Sequence, residues 1–214
     1  MAVLYLVMGK SASGKDTIFQ RLKRNDFLHL KTVIPYTTRP KREGEEDGRE
    51  YYFLSCEEFL TMQRENKVIE SRTYQTVHGD WTYFTADDGQ IIMDAEDKYL
   101  LIGTLETYRK IREYYRKKLS IEKGKEWVEE RIQEWLKQHI KPIYIEVENG
   151  LRLERALKRE RKQELPEYTE MCRRFLADEE DFSEENLKRA GITKRFQNEI
   201  LEVCLKEIEK DISK

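Results

Sequence analysis

The sequence predicts an α/β fold: a parallel-sheet core, an inserted small β-rich lobe and a helical lid. Three observations carry that expectation. The apolar run "VLYLVM" (Val3–Met8) is continuous and bounded by glycine, as a strand buried on both faces requires. Helical patterns alternate with such runs at the start and again in the second half, which favours parallel β-α units. Between them, over residues 35–94, the pattern turns to short strands, a charged loop and turn signals. That stretch is expected to be an insertion, with 1–34 and 95–214 forming the core. A cleft between core and insert is the natural place for a ligand.

The elements follow in order. Asp16 to Arg24 reads as a helix with Ile18, Phe19 and Leu22 on one side, and "LKTVIPYT" (Leu30–Thr37) as the second strand. Residues 39–50, "RPKREGEEDGRE", form a charged loop before the short strand Tyr51–Leu54. Ser55 and Glu58 have capping-box spacing, opening a helix through Glu65. "KVIESRTY" (Lys67–Tyr74) is a strand, "VHGD" a turn, "WTYF" a further β-like run, and Asp87–Gly89 a turn. From Tyr99, "YLLIGTL" is β-like and runs into a helix, Glu106 to Leu119. Lys125 to Gln138 places Trp127, Val128, Ile132, Trp135 and Leu136 at helical spacing. "PIYIEVE" (Pro142–Glu148) is a core strand. Leu151 to Lys162 is an arginine-rich helix that Pro166 breaks, and Glu170 to Ala177 resumes it, so the lid spans about 150–178. "ITKRFQN" is a final strand, and 199–212 a closing helix with Ile200, Leu201, Cys204, Leu205 and Ile208 as its apolar stripe.

Composition excludes several function classes. The 214 residues suffice for one core with a small appended lobe. Charged residues make up 38%, but 12 Tyr, 8 Phe and 3 Trp argue against disorder. A formal net charge of -2 gives no reason to expect bulk binding to nucleic acid or membrane. Cys56, Cys172 and Cys204 are widely spaced and odd in number, which reads as free thiols in a reducing cytoplasm. There is no signal-peptide pattern and no membrane-length apolar run. His29, His78 and His139 lie too far apart in sequence to suggest zinc.

The first chemical signal is "GKSASGKDT", Gly9 to Thr17, which matches G-x-x-x-x-G-K between an apolar strand and a helix. This is the pattern of a phosphate-binding loop (P-loop) and of the NTPase cores built on it. Small residues (Ser11, Ala12, Ser13, Gly14) let backbone N–H groups converge on phosphate oxygens, and the helix adds its positive end. Lys15 reaches the β- and γ-phosphates. Asp16 stands where a hydroxyl residue is usual. Its carboxylate is a hard oxygen ligand for Mg²⁺, or simply a good residue for a first helical turn. Thr17 supplies a hydroxyl one position later.

The second signal is "YTTRPKREGEEDGREYYF", residues 36–53. Arg39 and Arg42 lie three apart around a proline bend, where two guanidinium forks can hold one phosphate, and Tyr51 offers a nearby phenol. Taken alone, such a loop is more often an ordinary solvated surface. With the P-loop, this segment resembles the guanylate kinase family, in which a P-loop precedes "TTR-x-P-R-x-G-E-x-x-G-x-x-Y-x-F". The resemblance continues in "KVIE" and "WTYFT", weakens in the middle, and returns in the arginine-rich helices and "QNEIL".

The resemblance implies roles for individual residues. Arg39, Arg42, Tyr51 and Tyr83 would bind the phosphate of GMP. Glu70 would accept hydrogen bonds from guanine N1–H and the exocyclic amino group, with Thr85 near guanine O6. Arg155 and Arg159, four apart on one helix face, match the two lid arginines, and Arg174 resembles a further phosphate-binding arginine, with Arg173 competing for that part. Asn198 resembles the asparagine that meets adenine. The implied activity is ATP-dependent phosphorylation of GMP to GDP in the cytoplasm, with Mg²⁺ accompanying ATP. ATP and GMP are then the small-molecule partners, with no nucleic acid and no membrane.

Three departures from the family pattern bear on this. Where members carry acidic residues in "LLDIDVQG", this chain has Ile102 and Thr104. Pro35 and Tyr36 replace small hydroxyl residues before "TTR". Residues 124–140 look like an extra helix. These weaken the guanine assignment more than the kinase assignment. They leave open another acceptor, such as a different nucleoside monophosphate or a ribose bisphosphate, or a non-catalytic module that binds a phosphorylated ligand.

Overall fold

The computed structural model describes residues 1–76, 79–124 and 127–214. Val77 and His78, where the "VHGD" turn was expected to begin, lie outside the described residues, as do Lys125 and Glu126.

The core is a five-stranded parallel sheet in the order β2-β7-β1-β8-β9. Its strands are β1 (Val3–Gly9), β2 (Leu30–Thr32), β7 (Lys98–Ile102), β8 (Ile140–Glu146) and β9 (Phe196–Gln197). The run that reads as one apolar stretch, β1, lies at the centre, paired with β7 on one side and β8 on the other. Both its faces are covered, which explains the absence of polar alternation. Leu4, Leu6 and Met8 face a core shared with α3 (Leu105–Lys123) and α4 (Glu129–His139). Tyr5 and Val7 face the opposite core, built with α1 (Lys15–Lys23) and α8 (Leu201–Ile212). Each fully buried side chain of this size contributes about 1.5–3 kcal/mol relative to exposure.

A second sheet, β4-β3-β6-β5, comprises β3 (Tyr36–Thr37), β4 (Tyr52–Phe53), β5 (Val68–Thr76) and β6 (Gly79–Ala86). β5 and β6 pair antiparallel, as do β3 and β6, while β3 and β4 are parallel. This lobe has its own small core. Phe84 stacks on Tyr36 at 5.0 Å between ring centroids and lies 4.9 Å from Phe59 of α2 (Cys56–Arg64). The expected capping box opens α2: the Ser55 hydroxyl accepts the Glu58 amide, and the Glu58 carboxylate accepts the Ser55 amide.

Four expectations need correction. Leu30–Thr37 is not one strand: its first residues join the core sheet and its last the lobe. Pro35 has no N–H to continue a ladder, and the Gln90 side chain clasps both the Ile34 amide (2.8 Å) and carbonyl (3.2 Å) at the crossing point. In the expected 125–138 helix, Val128 is the extended N-cap and is exposed, so α4 starts at Glu129. Trp127 precedes the helix, its ring under the Arg131 guanidinium at 4.7 Å. Ile200 is likewise an exposed N-cap rather than part of the buried stripe of α8. The strand in "ITKRFQN" shrinks to two residues, and the short helix α7 (Glu184–Arg189), capped by Ser183, precedes it. The arginine-rich segment forms a helical hairpin, α5 (Asn149–Glu160) and α6 (Tyr168–Asp181). Among the described residues no helix is long and apolar enough to cross a membrane. None of the three cysteines is in a disulfide.

Candidate active site

The loop between β1 and α1 is wound tightly. Gly14 caps α1 at φ 84°, and Ala12 also sits in the left-handed region at φ 63°. Such a backbone costs a non-glycine residue about 1–2 kcal/mol, and the surrounding contacts hold it there. A Cβ on Gly14 would stand 2.4 Å from Asn198 Nδ2, so glycine is required twice over. The first helical bond runs from the Ile18 amide to the Gly14 carbonyl. The amides of Lys15, Asp16 and Thr17 therefore have no partner within the helix, which is the arrangement that receives phosphate.

Two elements hold the loop from behind. Asn198, buried after β9, donates from Nδ2 to the Ser13 carbonyl at 2.8 Å, while its Oδ1 and the Ser13 hydroxyl are buried with no partner among the described residues. From α6, the Asp178 carboxylate accepts the Ser11 amide at 2.7 Å, and Glu179 pairs with Lys10 at 2.7 Å. Arg152 of α5 joins this cluster. It is fully buried, contacts both Asp178 and Glu179, donates to the Ser11 carbonyl at 3.3 Å, and lies 3.7 Å from the centroid of the Phe175 ring. The residue types of this cluster gave no warning. Arg152 stands on the buried stripe with Ala156 and Glu160, a face a helix ordinarily fills with apolar residues.

The cationic residues foreseen on the hairpin are placed differently. Arg155 donates to the Glu199 carbonyl at 3.2 Å. Arg159 lies on the same face and is exposed. Arg174 pairs with Glu170 at 3.2 Å, sharing that carboxylate with Arg173. Lys15 Nζ lies 3.3 Å from the carboxylate of Asp16, which is itself well exposed on the first turn of α1 beside exposed Thr17. Among the described residues no three His, Cys, Asp or Glu side chains converge as a metal site. One exposed carboxylate on the helix end suits Mg²⁺ that takes its remaining ligands from nucleotide phosphate and water.

In the lobe, the residues expected to bind a phosphate gather. Arg39 is buried and grips Glu45 through both its forks (2.7 and 2.5 Å). Its guanidinium lies 5.2 Å from the ring centroid of Tyr51 and 5.4 Å from that of Phe53. Tyr51 and Tyr83 meet edge-on at 5.7 Å. Arg42 remains exposed, with its amide on Glu45 (2.8 Å). The grip of Arg39 lowers the Glu45 carboxyl from 4.5 to about 2. Its folded value lies below the unfolded one, so its contribution is complete above 4.5 and lost as pH falls through about 2. In acid titrations followed by thermal melting, the stability advantage over Glu45→Gln is expected to shrink across that window. A constant difference would show the pair to be idle.

Glu70 and Thr85, expected at a base, do meet. Glu70 is buried at the bulge where β5 departs from its register with β6. Its Oε1 accepts the Thr85 hydroxyl at 3.0 Å and its Oε2 accepts Arg72 Nε at 3.1 Å. Burial pushes its carboxyl above the usual range, and Arg72 opposes that. Without the family resemblance Glu70 reads as a strand-edge salt-bridge residue, and it does pair with Arg72; strand patterning does not name that partner.

The two halves face each other across a cleft of about 610 Å3. It is lined by Asp16 and Phe19 of α1, by Ile34 and Pro35 of the crossover, and by Arg49, Glu50 and Tyr51 of the lobe. Ile102, at the end of β7 where family members were expected to have a carboxylate, lines it too.

Comparison with known proteins points the same way. Residues 1–86 match the family model described as guanylate kinase. The guanylate kinase of Blochmanniella floridana is 44% identical over 69 residues, which is 32% of this chain and 33% of that protein. That of Porphyromonas gingivalis is 33% identical over 116 residues, 54% of this chain and 60% of that protein. The matched stretches thus span between 26% and 60% of the curated relatives' own length. In fold, the chain is similar to the crystal structure of guanylate kinase from Anaplasma phagocytophilum, with a TM-score of 0.57 at 19% identity over 99% of this chain and 84% of that one.

Proposed function

We propose that this chain is a member of the guanylate kinase family, which the match of residues 1–86 and the 33% identity to the Porphyromonas gingivalis protein support, and that it transfers the γ-phosphoryl group of ATP to GMP, giving ADP and GDP. One observation carries the reading. Asp16, at the end of the wound phosphate loop, and Tyr51, of the arginine–tyrosine cluster, line the same cleft of about 610 Å3 between core and lobe.

Phosphoryl transfer asks the protein for position and charge, and for little covalent chemistry. The amides of Lys15, Asp16 and Thr17 and the Lys15 ammonium receive the ATP phosphates. Arg39, Arg42, Tyr51 and Tyr83 hold the acceptor phosphate. Arg155, Arg159 and Arg174 lie on the α5–α6 hairpin, which acts as a lid over about 150–178 and brings cations to the transferred group as the cleft closes. Residues 35–94 move as the acceptor lobe, and closure excludes water. An oxygen of the acceptor phosphate then attacks the γ-phosphorus in line, and the bond to the β–γ bridging oxygen breaks, leaving ADP. Asp16 would hold Mg²⁺ together with ATP, and the ion would supply neutralisation of phosphate charge. Glu70 reads guanine: its carboxylate accepts the parallel N1–H and amino bonds, whereas adenine presents a lone pair at N1. Discrimination of this kind reaches roughly 10⁴ or more.

A coupled ADP-release assay against GMP, dGMP, AMP, UMP, CMP and ribose bisphosphate tests the reading. GMP is expected to be the preferred acceptor. Tight binding of phosphorylated ligands with no turnover of any acceptor would make the protein a binding module instead. In the same assay Glu70→Gln is expected to lower the GMP:AMP preference by about 10²-fold or more. Intact selectivity in that variant would remove Glu70 from base reading.

A further inference from the structure

The carboxylate of Glu70 has no solvent exposure, and the group that covers it is Arg72, itself 13% exposed at the side chain. Arg72 approaches side-on. Its Nε donates to Oε2 at 3.1 Å and its NH2 group faces Oε1 at 3.5 Å. Two adjacent N–H groups of one planar guanidine unit thus lie along the two oxygens of the carboxylate. Guanine presents the same unit: its N1–H and exocyclic amino group flank one carbon, as Nε and NH2 flank the guanidinium carbon of arginine.

We propose that Arg72 is an internal stand-in for the acceptor base, occupying the reading edge of Glu70 until guanine displaces it. This rests on the kinase reading above.

Three further observations support it. Thr85 already takes one lone pair of Oε1, so no second donor pair fits beside Arg72. Arg72 also stands opposite Tyr83 in the β5–β6 register, and Tyr83 meets Tyr51 edge-on at 5.7 Å, which places Arg72 beside the acceptor cluster. The second Arg72 contact is long at 3.5 Å, so the stand-in pairs less well than a base with both bonds formed. The arrangement sharpens specificity. A base with two parallel donors replaces what Arg72 gives up. One with a lone pair in that place leaves a buried carboxylate unpaired, at a cost it cannot recover.

The test turns on a sign. A residue that merely supports the pocket weakens acceptor binding when removed, whereas a competitor strengthens it. Arg72→Ala and Arg72→Lys are compared with the unaltered protein at one fixed pH. Steady-state KM is measured for GMP, AMP and ATP, and the thermal shift on adding GMP alone. For Arg72→Ala, the GMP KM is expected to fall by about tenfold, the effect of one hydrogen-bonded competitor lost. The ATP KM is expected to hold, and GMP to stabilise the variant more than the parent. Arg72→Lys keeps the charge but lacks the paired donors, and its GMP KM falls less. Should the alanine variant not fold, the lysine variant decides by the same sign. A GMP KM that rises or stays unchanged in a folded variant overturns the inference and leaves the kinase reading standing. Absence of GMP turnover in the unaltered protein overturns both.

Discussion

Replacing Lys15 with alanine is expected to lower kcat by about 10³-fold, within the range seen when a single charge-stabilising group is removed from a phosphoryl- or acyl-transfer site. The reason is positional. Lys15 begins α1, and among the described residues its ammonium pairs with the adjoining Asp16 carboxylate, at 3.3 Å. It is therefore available to follow charge as it builds on the leaving oxygen of ADP, and it does little for the ground state of the acceptor. The GMP KM should change little, and so should the melting temperature, because an exposed pair such as Lys15–Asp16 is worth at most about 1 kcal/mol. Steady-state kinetics in both substrates with parallel melting curves checks this. A loss of a few-fold, or a collapse of stability that accounts for the lost rate, would show that Lys15 does not serve the transferred group.

Arg39→Ala is expected to act on the other substrate and on the fold together. Arg39 binds Glu45 through two donors and packs against Tyr51 and Phe53 while almost fully buried. Its loss leaves Glu45 without its main partner and opens a gap between two rings. Stability should fall by about 2–3 kcal/mol, less than for a fully buried pair because Glu45 retains contact with water. The GMP KM should rise by about 10²-fold through the lost bidentate grip on phosphate, with the ATP KM unaltered. Arg39→Lys should recover part of the stability and little of the affinity, since an ammonium cannot supply the fork. Equal damage to both substrates would point to general unfolding instead.

What could be read from the chain followed local chemistry. The central strand, the loop winding and the capping box of α2 each depend on residues within a few positions of one another, so their patterns survive in one dimension. The break at Val33–Pro35 does not, because Gln90 enforces it from 56 positions away. The site divides in the same way. Lys15, Arg39 and Tyr51 are legible because loop and motif place them. Arg152, Asp178 and Glu179 are not, because a charged residue on a charged helix gives no sign of folding inward onto the phosphate loop. Arg72 lies two residues from Glu70, and only the bulge at Glu70 and the burial of its carboxylate make that spacing matter.

The knot of Arg152, Phe175 and Asp178 has a mechanical consequence. It fixes the root of the α5–α6 hairpin to the Gly9–Thr17 loop, so in the function proposed above a closing hairpin would turn about that root like a lever. Arg155 lies three residues out from the pivot, about 4.5 Å along the axis, and Arg159 seven residues out, about 10 Å. A tilt of about 20° then carries Arg155 through roughly 1.5 Å and Arg159 through roughly 3.5 Å. The two arginines have unequal strokes. On the proposed mechanism Arg155 would need to move little as the cleft shuts, and Arg159 would be the one that closure delivers.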